Sequence, residues 1–345
     1  MLSGRITLTQ FMNEEQRHIE GATGDFTGLI NDIATASKVI ANYVGKGALL
    51  ATGKELNQKI EAMANEVMLE TGIATRHLAA LASEDMEGIK EAQPRGKYLL
   101  TFDPLNGSGN LDINFQTGTI FSIMRAPDPK RKPKVEDFLR PGREILAAGM
   151  VQYGASTRLI LTTGLGVNGF TLDREIGEYV LTHPKITIPQ EASTFAINAS
   201  NERYWEPPVR RYVHECMQGK DGPRGKDFGM RWVASLVAEA YRILTRGGVF
   251  LYPHDQRTRE QGGRLGLIYE ANPIAFIIEQ AGGAAITGRN RILDIQPTEL
   301  HQRAPFIFGS KDEVERIHRY HQEYVEGKDL ESYDMPLFSS RSLFR

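Results

Sequence analysis

The sequence predicts an α/β protein, on three observations. Apolar residues near the start recur with a helical period, short apolar runs broken by Gly, Pro, Asn and Asp follow, and helical and strand-like stretches then alternate. Phe26, Leu29, Ile30, Ile33, Ala34, Ser37, Ile40 and Val44 share a spacing of about 3.6 residues and mark an amphipathic helix. Thr23, Gly24 and Asp25 precede it, offering N-cap oxygens and free amide donors. A second helix is expected from about Glu55 to Thr71, on Ile60, Met63, Ala64, Val67 and Met68. Buried strands are expected over 78–82, 98–102, 119–124, 145–151, 158–162 and 169–172. Residues 126–142 hold four prolines and many charges and read as a surface excursion free to move. A Pro-bounded link over 184–190 suggests a first domain of residues 1–187 and a second of 188–345. The second should carry a helix at 232–244, a strand at 248–252, a strand and helix at 265–281, and a last strand at 305–308.

Composition narrows the function classes. The 345 residues suit two domains or one large one, and 41% hydrophobic with 24% charged residues is ordinary for a globular chain. A net charge of −2 gives no basic field for nucleic acid or an acidic membrane, so an anionic substrate must meet local clusters of Arg and Lys. The single cysteine, Cys216, rules out an intrachain disulfide framework and fits a reducing compartment. The first residues hold no signal-peptide core, and no run approaches the ~18 apolar residues of a membrane span. A cytoplasmic location is the simplest expectation.

Chemistry gathers where apolar runs end. The run 98–102 leads into Asp103-Pro104-Leu105-Asn106-Gly107-Ser108-Gly109-Asn110. Carboxylate oxygens there can hold a hard divalent cation, while glycine-freed amides and the Ser108 hydroxyl can bind phosphate oxygens. Alone, this stretch also reads as a simple turn. Ser83-Glu84-Asp85 follows another run, Tyr269-Glu270-Ala271-Asn272-Pro273 closes a third, and Glu55 and Glu61 open a helix. Each acid singly suits a solvated surface, but recurrence at strand ends is what a phosphatase with two or three metals needs.

These residues resemble the class I fructose-1,6-bisphosphatases from Thr7 to about Tyr320. The matching blocks include Thr23-Gly24-Asp25-Phe26-Thr27, Ser83-Glu84, Phe102-Asp103-Pro104-Leu105, Gly118-Thr119-Ile120-Phe121, Arg231-Trp232-Val233-Ala234-Ser235, Tyr269 to Pro273 and His301-Gln302-Arg303-Ala304-Pro305. The resemblance implies a layered α/β/α/β/α sugar-phosphatase fold, usually assembled as a homotetramer. It implies hydrolysis of fructose 1,6-bisphosphate to fructose 6-phosphate and phosphate, with two or three Mg²⁺ per subunit and Mn²⁺ as the alternative ion. Carried over by position, Glu55, Glu84, Asp103, the Leu105 carbonyl, the Asn106 position and Glu270 would hold metal, and Glu61 and Asp85 would activate the attacking water. Gly107 and Ser108 would hold the reacting phosphate, and Asn201, Tyr204, Tyr252, Arg264 and a neighbouring subunit's Arg231 the distal one. Thr23, Gly24, Asp25, Thr27, Lys97, Tyr98 and Arg125 match an inhibitory AMP site.

Five departures cluster at the reacting end. Asn106 stands for an aspartate ligand, Gly109 for a serine, Glu61 for Asp, Asp85 for Glu, and Gly266 for an arginine. Asn keeps one carbonyl oxygen but loses a full charge, so metal affinity should fall while geometry survives. Beside the active phosphatase stand two other readings: a weakened or non-catalytic paralogue that binds sugar phosphate or AMP, and a sedoheptulose-1,7-bisphosphatase.

Overall fold

The computed structural model describes residues 6–17, 24–128 and 130–328; Thr23 therefore lies outside the described residues. Helices α1 (Leu8–Arg17), α2 (Asp25–Lys46) and α3 (Gly53–Ala74) come first. Strands β1 (Leu78–Ser83), β2 (Ile89–Glu91), β3 (Tyr98–Asn106), β4 (Thr117–Arg125), β5 (Ala147–Tyr153), β6 (Arg158–Thr162), β7 (Val167–Asp173) and β8 (Glu178–Ile186) then form one sheet in the order β2-β1-β3-β4-β5-β6-β7-β8. β1 and β3 are parallel, and the other neighbours are antiparallel.

The second half begins with β9 (Thr194–Ala196), α4 (Pro207–Met217), β10 (Gly229–Met230), α5 (Leu236–Arg246) and β11 (Val249–Tyr252). It continues through β12 (Leu265–Gly266), α6 (Asn272–Gln280), β13 (Ala284–Ile286), β14 (Arg303–Ala304), β15 (Phe306–Gly309) and α7 (Lys311–Val325). Its sheet runs β10-β9-β11-β15-β13, and β12 pairs with β14 as a separate ribbon.

Side-chain alternation along the strands stacks these parts. Phe121 and Ile123 of β4 pack against α1, α2 and α3, while Ile120 and Met124 face α5 and α6. In β11, Phe250 faces α5 and α6, whereas Val249 and Leu251 face α4 and α7. Five layers result, α/β/α/β/α, as the resemblance implied.

The structure corrects several local expectations. β3 does not stop at Phe102 but runs to Asn106 through an irregularity. Glu270 closes no strand; it sits in a π-helical turn, Leu267–Ala271, leading into α6. The helix expected at 232–244 starts only at Leu236, because Ala234 has a left-handed φ of 55° that breaks any helix there. The 126–142 excursion is pinned, with Phe138 buried and Asp137 held by Arg131 and by the Lys134 amide. β8, which runs into the expected 184–190 link, is an edge strand whose polar outer face and Pro184 give its sequence the look of a link. Ahead of α2 the cap residue is Gly24, which has no side chain to offer, and Asp25 is already paired with Lys97 and with His77 at 3.4 Å.

Candidate active site

One extra residue shapes the acidic loop. Asp103 pairs with Ile120 and Asn106 with Gly118, so three steps along β3 oppose two along β4, which is a β-bulge. Strand alternation alone would send Asp103 and Asn106 to opposite faces. The bulge cancels that parity: Leu105 rejoins the apolar face of Tyr98, Leu100 and Phe102, and Asp103 and Asn106 share the other.

There Asn106 bridges two carboxylates. Its Nδ2 donates to Asp103 Oδ2 and to Glu270 Oε1, each at 2.9 Å, while its own Oδ1 is buried without a partner. Glu270 also accepts from the Gly266 amide at 2.6 Å, and Asp103 from the Leu105 amide at 3.1 Å. The π turn brings Glu270 onto this bulge from a distant part of the chain, a use of π geometry common at functional sites.

Burial and like charges raise these acids. Asp103 is pushed well above the usual carboxylate range by burial, then by Glu84 and Glu270. Glu270 is pushed up to about 7 by burial and then by Glu84. Glu84 and Asp85, just past β1, are open to solvent. Partial loss of water and the Glu61 carboxylate raise both, Asp85 to about 6. Glu61 in α3 accepts from the Ser108 hydroxyl at 2.9 Å, which joins helix to loop. Glu55 stands exposed on the first turn of α3.

Gly107 turns the chain with a φ of 75°, and a Cβ there would lie 3.4 Å from both Asn110 Nδ2 and Ser235 Oγ. Its amide and that of Ser108 are thus held in a close left-handed turn. Among the described residues, no three His, Cys, Asp or Glu side chains gather tightly enough to hold a cation. The donors nevertheless fit one: two buried carboxylates share a single amide between them, beside an orphaned amide oxygen.

A second cluster lies in the C-terminal half. Asn201, Trp232 and Tyr252 line one small cleft, and the Trp232 and Tyr252 rings are 6.1 Å apart. Tyr204 lies under the guanidinium groups of Arg203 at 4.7 Å and Arg257 at 4.5 Å. Arg264 is exposed just before β12, and Arg231 is exposed at the end of the edge strand β10, donating to its own Met230 carbonyl at 3.0 Å.

At the start of α2, Gly24, Asp25, Lys97, Tyr98 and Arg125 form a third cluster. Arg125 lies 5.9 Å over the Tyr98 ring, Phe26 packs on that ring at 5.6 Å, and Thr27 is buried one turn in.

Residues missed in the sequence also face the acids. Arg303 pairs across the ribbon with Gly266 and lowers both Glu84 and Glu270. Its signal was the His301-Gln302-Arg303 block, which nothing local tied to the acidic loop.

A five-layered α/β frame with acids converging on a glycine turn defines a metal-dependent phosphoric monoester hydrolase. Residues 6–184 match the family described as "Fructose-1-6-bisphosphatase, N-terminal domain", and residues 188–322 match its C-terminal domain. The chain belongs to the fructose-1,6-bisphosphatase family. It is 53% identical to a fructose-1,6-bisphosphatase class 1 of Hydrogenophilus thermoluteolus, over 98% of this chain and 97% of that protein. Crystal structures of Leishmania major fructose-1,6-bisphosphatase in holo and apo forms superpose with TM-scores of 0.85 and 0.84. Each is 36% identical, covering 92% of this chain and 99% of the other. No helix among the described residues is long and apolar enough to cross a membrane.

Proposed function

We propose that the Asp103–Ser108 bulge, Glu84 and Glu270 form the reacting end, and that the Asn201–Tyr252 cluster holds the far end of the substrate. The reaction is hydrolysis of fructose 1,6-bisphosphate to fructose 6-phosphate and phosphate. The observation that carries this reading is the pair of buried carboxylates, Asp103 and Glu270, drawn to one point by the shared Asn106 amide. The sedoheptulose and non-catalytic readings find no such support, since the matched relative is a fructose-1,6-bisphosphatase.

In the mechanism, Asp103, Glu270, Glu84, Glu55, the Leu105 carbonyl and the Asn106 amide oxygen would hold Mg²⁺ or Mn²⁺, two or three ions. Bound metal would neutralise the 1-phosphate and acidify the attacking water. The Gly107 and Ser108 amides would orient that phosphate. Water attacks phosphorus while the P–O bond to sugar carbon 1 breaks. Asp85, raised to about 6, is suited to take the water's proton near neutral pH with the Glu61 carboxylate beside it, and the leaving oxygen takes up one proton. Tyr204, Tyr252, Arg264 and Asn201 would fix the 6-phosphate, where no bond changes. Arg303, opposite Gly266, would supply the cation that Gly266 lacks.

Arg231 ends an exposed edge strand, which favours a 6-phosphate contact made across a subunit boundary in a homotetramer. The division into residues 1–187 and 188–345 follows the change from one sheet to the other. The α2 cluster suits an AMP phosphate and base, and a lone buried Cys216 suits the cytoplasm.

Phosphate release from fructose 1,6-bisphosphate, followed across Mg²⁺ and Mn²⁺ titrations, tests the assignment. Turnover that depends on metal and falls sharply in Glu270→Gln is expected. Folded protein that releases no phosphate at any metal concentration would overturn it. Light scattering during gel filtration should give four subunits.

A further inference from the structure

The bulge that positions the acids needs its own support. In a bulge the extra residue leaves the ladder, and Pro104 has no N–H with which to rejoin it. Its carbonyl, inside a wholly buried strand, therefore requires a donor from elsewhere. Thr119 of β4 supplies one: its hydroxyl donates to the Pro104 carbonyl at 2.8 Å. The same oxygen pairs with the Tyr153 hydroxyl of β5 at 2.7 Å. A threonine hydroxyl has one proton, already given to Pro104, so the Tyr153 hydroxyl is the donor in that second bond. The direction of the chain is thus fixed as Tyr153 to Thr119 to Pro104. Both side chains are at most 2% exposed, so no water competes for these bonds.

We infer that Thr119 and Tyr153 are positioning residues for the metal-dependent reaction. They fix the Pro104 peptide, and through it the direction of the Leu105 carbonyl and the Asp103 carboxylate that flank it. Neither touches substrate, and both lie on the sheet face opposite Asp103, among the side chains that pack against α1–α3. Their effect on the reaction is therefore confined to the shape of the bulge. The inference rests on the proposed reading that the bulge binds metal.

Mn²⁺ binding to the substrate-free protein, measured by titration calorimetry, separates the two ideas. If the unmodified protein binds no Mn²⁺, the metal reading fails first. If it does, Thr119→Val should weaken Mn²⁺ binding about tenfold, a loss of roughly 1.4 kcal/mol. It should raise the metal needed for half-maximal rate in parallel and leave KM for the sugar bisphosphate nearly unchanged. Thr119→Ser, which restores the hydroxyl without the methyl group, should recover most of the affinity. Tyr153→Phe keeps the ring packing, and should show a smaller loss in the same direction even if Thr119→Val fails to fold. Unchanged Mn²⁺ binding in Tyr153→Phe together with equal losses in Thr119→Ser and Thr119→Val would overturn the inference.

Discussion

At Asn106 one carboxamide separates two buried carboxylates and donates to both. An aspartate there would replace two donors with a third negative charge beside Asp103 and Glu270. Without metal, Asn106→Asp should therefore cost about 1–3 kcal/mol of stability, read as a lower unfolding midpoint in chelator. With excess Mg²⁺ the order should reverse, and the concentration for half-maximal rate should fall roughly tenfold. An equal midpoint in chelator would show that the amide bridge contributes nothing. Gly266 invites the complementary change. A Cβ there would sit 3.4 Å from Glu270 Oε2, an ordinary contact, so Gly266→Arg should fold normally. The new cation beside Glu270 should lower the pH at which metal binding sets in.

Elements carry the positions of these residues, and they differ in how openly the sequence announces them. The apolar run of β3 is plain from Tyr98 to Phe102, but Asp-Pro-Leu-Asn-Gly reads as its end. Only pairing with β4 reveals that the strand continues through a bulge. The π turn at Glu270 is hidden in the same way, because Leu265 to Tyr269 is as apolar as a strand and the bond to the Gly266 amide is a feature of the folded turn. The acids are visible as residue types at apolar ends; their convergence, which depends on register, is legible only through the family resemblance. The 231–235 loop is a further instance, tied down by Glu239, which is fully buried in α5 and accepts from the Val233 amide and from Arg242, both at 2.9 Å. Glu239→Ala strands a partly buried Arg242 and should cost about 3 kcal/mol in urea denaturation. Glu239→Gln can still accept from Val233 and should lose clearly less. If both lose the same amount, the charge and not the loop tether is what matters.

Across the whole molecule, five layers follow from strand alternation, yet helices α4 and α7 of the outermost layer have no plain signal in their own residues. Helices α4 and α7 present mixed, charge-rich faces, because their junction buries a polar network beside its apolar one. Arg224 reaches both Glu313 oxygens at 2.7 Å, and Tyr212 donates to Glu313 at 2.8 Å. That network lies far in the layer order from the acids, so it sets stability without tuning metal binding. The acids themselves give stability a pH dependence of unusual sign. Glu270 rises from an ordinary 4.5 to about 7, and Asp103 is raised as well, so the folded state holds protons that the unfolded chain releases. For Glu270 the contribution is complete below about pH 4.5 and is lost as pH climbs through about 7, and Asp103 acts in the same direction. For Glu270 alone the span corresponds to roughly 3 kcal/mol. Asp137 and Asp255, whose values are lowered, act oppositely but only on the acid side of their ordinary value of 3.8. Between about pH 6.5 and pH 8, above the range in which the lowered His183 and His321 act the other way, the metal-free protein should therefore lose stability. Excess Mg²⁺ should flatten the curve, because the ionised pair then gains its countercharge. Melting curves across that range, with chelator and with Mg²⁺, test this directly: two parallel profiles would mean that the buried pair is not where the cation binds.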